Sequence, residues 1–273
     1  MNGATQPRRF DSLFAYGLFY LAFLYGPLLF IVLFSFNDAI YVAFPLQGFT
    51  LDWYDAMWQQ KELVDSLFNS IKVAAVVAVV STILGTLAAK AVTRYRLKGS
   101  GPIVAFIMVP FVIPGIILGI SLLVLVSNLG VELSLITIGL GHILIAVPFS
   151  MLVMISRMEG FDKSLEEASL DLGESAWSTF WRVTFPLVMP GIISSLLLTF
   201  TLSFDEFIIA FFLSGKEATL PLFIWSQLRF PQKLPNVLAL GTCILLISAL
   251  VIALAEWVRR RNLKAEQQSE IGV

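Results

Sequence analysis

The sequence contains few charged residues and few residues that could bind a metal. Only 14% of its 273 residues are Asp, Glu, Lys or Arg, whereas about 25% are charged in an ordinary soluble domain. Its one cysteine, Cys243, and its one histidine, His142, leave no disulfide framework and no thiolate metal site. Because 58% of the residues are hydrophobic, the composition predicts a membrane protein.

Motifs of common enzymes and of nucleotide binding are also missing. The sequence has neither GxSxG nor HExxH, and its only Gly-Lys pair, Gly215-Lys216, lacks the upstream glycine of a P-loop. We therefore expect no catalytic residue, no metal site and no cofactor bound by this chain. If ATP drives its activity, the ATPase must be another polypeptide. The net charge of -1 gives no reason to expect nucleic acid as a partner.

Six apolar runs are long enough to cross the roughly 30 Å hydrocarbon layer of a bilayer. They lie near residues 13–36, 70–91, 103–127, 133–155, 187–213 and 237–258. The first run lacks the cleavage site of a signal peptide, so we expect it to be retained. Pro110, Pro114, Gly115 and Gly119 interrupt the third run, and the two glycines favour close helix packing. The sequence thus predicts an all-α membrane protein with six transmembrane helices in one domain over residues 1–273.

Most of the 18 Lys and Arg residues lie where they would share one side of the membrane. They precede the first run, follow the second, flank the stretch between the fourth and fifth, and follow the sixth: Arg8, Arg9, Lys90, Arg94, Arg96, Lys98, Arg157, Lys163, Arg182, Arg259, Arg260, Arg261 and Lys264. Basic residues concentrate in cytoplasmic segments. Both termini and the stretch between the fourth and fifth runs are therefore predicted to be cytoplasmic.

That stretch, residues 162–186, is polar, and neither half of it is long enough to cross a bilayer. We call it the elbow. Ser164, with Glu167 three residues later, predicts a capping box at the start of a helix. Gly173 suits the left-handed residue that ends such a helix. The elbow is therefore predicted to begin with a short helix that stops at a glycine turn.

The second half of the elbow carries an aromatic face. Ser175 can cap a second short helix, on which Trp177, Phe180 and Trp181 fall on one side. Pro186 is predicted to end this helix. A pair of short helices with an exposed aromatic side is typical of a segment that fits into a partner's groove.

Two adjacent carboxylates, Asp205 and Glu206, lie inside the fifth run. A helix that begins at Leu187 would carry them about 27 Å along its axis. Each carboxylate costs roughly 2.5–3.5 kcal/mol at the bilayer centre, so at least one should face a water-filled cavity or a cation. Either a pathway for a positively charged substrate or a structural salt bridge would satisfy this condition. His142, in the fourth run, is predicted to make a hydrogen bond to a neighbouring helix, and a relay role remains the alternative.

The spacing within the elbow matches a known motif. Glu167-Ala168-Ser169 is followed after three residues by Gly173 and after nine more by Val183-Thr184-Phe185-Pro186. This pattern closely resembles the EAA loop of permease subunits in bacterial ABC importers, which reads Glu-Ala-Ala, three residues, Gly, nine residues, Ile-x-Leu-Pro. Ser169, Val183 and Phe185 depart from it, and they change size and polarity little.

Other stretches resemble the spermidine/putrescine permease group of that family, in particular its second, C-type subunit. They are Asn69-Ser70, Gly85, Ser203-Phe204-Asp205 and Thr219-Leu220-Pro221-Leu222. The resemblance implies the type I ABC importer permease fold, in which the elbow couples the chain to an ATPase. The coupling residues would be Glu166, Glu167, Ala168, Gly173, Trp177, Phe180 and Pro186.

The resemblance also implies a set of partners. They are a homologous permease subunit, two ATP-binding subunits that hold ATP-Mg, an extracytoplasmic substrate-binding protein and membrane lipid. The chain would be a multi-pass protein of the bacterial inner membrane that forms the pathway for a small cationic solute such as a polyamine. Opines, thiamine or iron remain alternative solutes. Two other classes also remain open: a secondary transporter that uses His142, Asp205 and Glu206 as a relay, and a channel or scaffold that uses the elbow only for docking.

Overall fold

The computed structural model describes residues 12–94 and 100–250. Apart from one isolated antiparallel bridge between Asn37 and Phe49, the regular secondary structure of these residues is helical. The helices are α1 Ser12–Ser35, α2 Asp52–Gln59, α3 Lys61–Arg94, α4 Ser100–Val112, α5 Gly115–Asn128, α6 Leu135–Glu159, α7 Ser164–Asp171, α8 Ala176–Thr179, α9 Phe185–Phe204, α10 Ile208–Leu213, α11 Leu220–Gln227 and α12, within Pro231–Leu250. The predicted all-α class is confirmed.

Five helical segments in the described residues are long and apolar enough to cross a bilayer. They are α1, α3, α6, the continuous helix Ala176–Phe204 and Pro231–Leu250. The bent pair of α4 and α5 makes a sixth if its two halves form one span. These segments contain most of the six predicted runs. The end of the last predicted span, residues 251–258, and both chain termini lie outside the described residues.

The interruption of the third run is a sharp bend between two half-helices. α4 ends at Val112 and α5 begins at Gly115, and the two helices are bent by 98°. Pro114 stands between them with φ -52° and ψ 130°. These angles are not helical, and the proline has no N–H to continue the bonding pattern of α4.

The fifth run is broken as well, and its helix begins earlier than predicted. α9 ends at Phe204, residues 205–207 leave the helix, and α10 begins at Ile208. At its other end, α9 continues a helical path that starts at Ala176. The prediction that Asp205 and Glu206 lie on one unbroken helix is therefore wrong.

Residues 62–226 form one compact unit. Its α6 packs on α9, and α5 packs on α10. One buried cluster at this contact contains Val73, Val77, Leu118, Ile138, Ala146, Ile209, Ala210 and Leu213. A second buried cluster contains Ala89, Met151, Met154, Met158 and Val188. The first cluster joins α3, α5, α6 and α10, and the second joins α3, α6 and α9.

The described residues of the other unit are 12–61 and 227–250. In this unit Trp53 donates a 2.9 Å hydrogen bond to the Asn37 carbonyl. The hydroxyls of Ser35 and Tyr54 lie 2.7 Å apart. These contacts hold α2 against the end of α1. The existence of a single domain over residues 1–273 stays a prediction.

Candidate functional site

The elbow has the predicted helix–turn–helix form. α7 is followed by Gly173, whose φ of +91° lies in the left-handed region that glycine adopts without steric cost. Ser175 caps α8, and its hydroxyl accepts a 3.2 Å hydrogen bond from the Ser178 N–H. The predictions for Gly173 and Ser175 are confirmed.

The predicted capping box at Ser164 is wrong. Ser164 is already the first residue of α7, and Lys163 precedes it without a side-chain cap. The cap comes instead from Asp162, whose Oδ1 accepts a 3.0 Å hydrogen bond from the Ser164 N–H. This bond stabilises the charged carboxylate and lowers the pKa of Asp162. Asp162, in the turn before the helix, accepts the hydrogen bond of the first free N–H group, and the predicted reciprocal bonds between Ser164 and Glu167 do not form.

The prediction that Pro186 ends the second helix is also wrong. α8 passes through a wide π turn, Phe180–Thr184, directly into α9. The Phe185 N–H reaches back five residues to the Phe180 carbonyl. Pro186 then lies in the first turn of α9, where its missing N–H does not break the helix. The second half of the elbow and the fifth span are therefore one continuous element.

Three side-chain contacts brace the two halves of the elbow. The hydroxyls of Ser169 and Thr179 lie 2.9 Å apart. The Thr184 hydroxyl donates a 2.5 Å hydrogen bond to Glu166 Oε1. On the outer side, Arg182 donates to Glu174 Oε1 over 2.7 Å. The first two contacts link α7 to the helical segment that follows it, and the third links the residue after Gly173 to that segment.

Large aromatic side chains are exposed on the elbow. Trp177 is 70% exposed and Trp181 46%, and their ring centres lie 5.6 Å apart. Phe180 contacts Trp181, and the Lys90 ammonium lies 4.3 Å from the centre of the Phe180 ring. Exposed tryptophans are common anchors at protein interfaces. A docking role for this surface stays a prediction.

The predicted coupling residues of α7 differ in their surroundings. Glu167 and Ala168 are exposed, so a partner can reach them. Glu166 instead points toward α3, where its Oε2 lies 3.0 Å from Arg94 Nε. From the sequence, Arg94 is only one of the basic residues that predict the orientation in the membrane, and this ion pair is not predicted. No local pattern joins positions so far apart in the chain.

Glu206 lies one residue before the N-cap position of α10, Phe207, and its side chain caps the first turn of this helix. Its carboxylate accepts hydrogen bonds from the N–H groups of Ile208, Ile209 and Ala210, at 3.2, 2.8 and 3.3 Å. The same carboxylate lies 3.5 Å from His142 Nε2. Both of its oxygens are thus used within the chain. An acid two to four residues before a helical N–H is a capping signal, and this signal could have located the break.

Asp205 has a different environment. It follows the last residue of α9, and its side chain is exposed. Within the described residues its carboxylate has no hydrogen bond or ion pair. Of the two acids predicted for a pathway, the structure therefore leaves Asp205 available and engages Glu206. The role of either acid in transport stays a prediction.

The prediction of an interhelical hydrogen bond from His142 is confirmed. Its Nδ1 lies 2.8 Å from Ser203 Oγ on α9, and the histidine is fully buried. Further along the same contact, Ser195 Oγ lies 2.7 Å from Ser150 Oγ and 3.1 Å from Thr82 Oγ1. Hydroxyls of this kind join helices in membrane proteins. They hold α3, α6 and α9 in register.

Glycines allow α5 to pack closely on α10, as predicted for the third run. A Cβ atom at Gly115 would lie 3.5 Å from Ile208, which is an ordinary contact. At Gly119 a Cβ atom would lie 2.5 Å from the Phe212 ring, closer than carbon atoms that are not bonded to each other can approach. The bend at Pro114 and the break at Asp205 are consequently neighbours, because the helices that follow them pack together.

The multi-pass helical fold and the helix–turn–helix elbow are the features expected of the permease subunit of an ABC importer. A comparison with protein families then identifies this subunit more closely. Residues 81–264 match the family described as "Binding-protein-dependent transport system inner membrane component". The chain belongs to this family. It is a transport subunit of the inner membrane and not an enzyme.

Curated relatives resemble the chain over most of their length. The putrescine transport system permease protein PotI of Escherichia coli K12 is 37% identical over 231 residues, 82% of each chain. The spermidine/putrescine permease PotC of the same strain is 32% identical over 244 residues, 89% of this chain and 92% of PotC. PotC of Haemophilus influenzae is 31% identical over 242 residues, 88% and 93%. The predicted relation to the polyamine permease group is confirmed.

Solved structures show the same fold. A bacterial ABC transporter involved in alginate import contains a chain with a TM-score of 0.68 and 19% identity, covering 91% of this chain and 99% of its own. The bacterial alginate ABC transporter in complex with a periplasmic protein carrying an alginate pentasaccharide gives a TM-score of 0.69 at 16% identity, over 90% and 91%. The likeness confirms the permease fold.

Proposed function

We propose that this permease subunit imports a polyamine, a small linear cation of the putrescine and spermidine type. The relatives named for these amines share 31–37% of its residues over more than four-fifths of the chain. A carboxylate in the membrane-spanning region suits a cationic substrate and would repel an anionic one. Asp205 supplies that carboxylate.

The single observation that carries the proposal is the contrast between the two acids. The Glu206 carboxylate accepts hydrogen bonds from the backbone of α10, and a bound ammonium group would have to compete with these bonds. Asp205 has no partner within the described residues and lies at a break in the helix. An unpaired charge in this region is costly unless a pathway or a cation compensates it. Asp205 is accordingly the acid that meets the substrate.

The proposed assembly follows the family. The chain pairs with a homologous permease subunit, an extracytoplasmic binding protein delivers substrate, and two ATPase subunits bind ATP-Mg on the cytoplasmic side. The elbow, with Glu167, Ala168, Gly173, Trp177 and Phe180, docks on one ATPase. Both termini are cytoplasmic in this arrangement. ATP binds the ATPase subunits with different affinity in the inward-facing and outward-facing states of the transporter. Its binding and hydrolysis can therefore switch the pathway between these two states.

Uptake measured with Asp205→Asn tests the proposal. The complex is reconstituted with its cognate ATPase, partner permease and binding protein, and import of radiolabelled putrescine and spermidine is compared with that of thiamine, ferric iron and an opine. We expect amine uptake in the wild type and a loss of about tenfold in Asp205→Asn, since tenfold corresponds to roughly 1.4 kcal/mol of lost charge compensation. The matched control is Asp65→Asn, the same change at an exposed acid of α3.

Three outcomes would contradict the proposal. Import of another solute in preference to both amines would reject the substrate class. Amine uptake in Asp205→Asn equal to that of Asp65→Asn would reject the role of Asp205. Uptake that follows a proton gradient and needs no ATPase would instead support a secondary transporter.

A further inference from the structure

Arg94, at the C-terminal end of α3, joins the elbow to the rest of its unit. Its Nε lies 3.0 Å from Glu166 Oε2 on α7. Its Nη2 donates a 2.9 Å hydrogen bond to the Met158 carbonyl, near the end of α6. The guanidinium carbon lies 4.3 Å from the centre of the Phe161 ring. One side chain therefore contacts α6, the connection to the elbow, and the elbow itself.

The ion pair at this point is shielded from water. The Arg94 side chain is 8% exposed and that of Glu166 13%. The second oxygen of Glu166 is occupied by the Thr184 hydroxyl. Charges attract more strongly where water is excluded, and removal of one partner leaves the other charge buried without compensation. Loss of either partner of this link between the elbow and α3 would therefore be costly.

A second ion pair on the same elbow provides a contrast. Glu174 and Arg182 are 38% and 74% exposed, and a pair in contact with water contributes little stability. This pair joins two parts of the elbow to each other and does not reach α3 or α6. The same acidic residue type thus has two different roles within the elbow, set by its surroundings.

Displacement of the elbow can reach the membrane helices by two routes. One is the continuous helix from Ala176 to Phe204. The other is the direct contact with α3, made by Arg94 with Glu166 and by Lys90 with the Phe180 ring, and Arg94 extends it to α6. A cavity of about 240 Å³ lies beside this contact, and Lys90, Arg94, Glu166 and Thr184 are among its lining residues.

We propose that Arg94 is a positioning residue for coupling, which makes α3 and α6 follow the elbow when an ATPase displaces it. This inference rests on the proposed function. Without the Arg94–Glu166 pair, α3 and α6 would follow the elbow only through their contacts with α9 and through the Lys90–Phe180 contact. These helices would then follow the displaced elbow less completely, and fewer substrate molecules would cross for each ATP hydrolysed.

The test measures substrate imported per ATP hydrolysed by the complete reconstituted complex. Arg94→Gln, Glu166→Gln and the double variant are compared with wild type, and retention of the ATPase on co-purification is recorded for each. We expect the ratio to fall about fivefold or more in each single variant, the lower range of allosteric coupling. The double variant should be no worse than the worse single one, because both changes break the same contact. Arg94→Lys, which keeps the charge, should recover part of the loss.

Glu62→Gln is the matched control, with the same substitution at an exposed acid at the other end of α3, outside the elbow, and it should keep the wild-type ratio. A wild-type ratio in Arg94→Gln, or losses that multiply in the double variant, would overturn the inference. So would loss of the ATPase on co-purification of Arg94→Lys, since Arg94 would then maintain only the docking surface. A wild-type complex that imports no amine would reject the proposed function, and this inference with it.

Discussion

Replacement of Glu206 by alanine should loosen α10 by an amount that the structure allows us to estimate. The substitution removes the acceptor of three backbone N–H groups, and Ile209 and Ala210 are buried. The bond at 2.8 Å is well formed, and a hydrogen bond to a charged group contributes about 1.5–3 kcal/mol. The two longer bonds and the helix dipole add a few tenths more. We expect a loss of about 2–3 kcal/mol in the local stability of α10.

The assay is hydrogen–deuterium exchange of a peptide that covers residues 205–214 in the purified complex. A loss of 2–3 kcal/mol corresponds to about 30- to 150-fold faster exchange. Glu206→Gln keeps one acceptor oxygen and should give a smaller change. Asp205→Asn is the neighbouring control and should leave exchange unchanged. Wild-type exchange in Glu206→Ala would refute the capping role, and faster exchange in Asp205→Asn would refute the contrast between the two acids.

Two further predictions concern the elbow and its side of the membrane. Gly173→Val should cost about 1–2 kcal/mol, because a side chain is strained at the left-handed φ of this residue, and ATP hydrolysis stimulated by the loaded binding protein should fall. Gly173→Asn should keep the stimulated hydrolysis, because asparagine tolerates this φ. Normal stimulation in the valine variant would contradict docking by the elbow. In a Cys243→Ser background, an impermeant thiol reagent applied to intact cells should label Gln59→Cys and spare Ser175→Cys; labelling of the latter would reverse the proposed orientation.

Much of the fold could be predicted because its signals are local. A run of about 20 apolar residues is readable without knowledge of its neighbours. Gly173 and Ser175 were found for the same reason, since a left-handed turn and a helix cap depend on adjacent backbone only. Pro114 predicts an interruption of the third run, but it does not predict the bend of 98° between the two half-helices. The angle depends on how α5 packs against α10.

The errors fall where a local signal competes with a contact elsewhere. Pro186 is a strong helix breaker, yet the π turn before it lets the helix continue. Asp205 and Glu206 lie in a stretch with no Pro or Gly, so apolar length alone predicted an unbroken helix. The Arg94–Glu166 contact joins positions 72 residues apart by their numbers, and no spacing rule reaches that far. Each missed feature depends on tertiary packing.

The π turn of the elbow has a consequence for how the length of this segment can vary. An α-helix rotates about 100° for each residue, so a deletion within α9 would turn Trp177 away from its present direction relative to Ser203. The turn at Phe180–Thr184 already holds one residue more than an ordinary helical turn. Deletion of one residue there would convert the wide turn into an ordinary one, and the angular phase between the exposed tryptophans and the buried serines would be preserved. The segment can thus change its length by one residue at this point without losing alignment between its two ends.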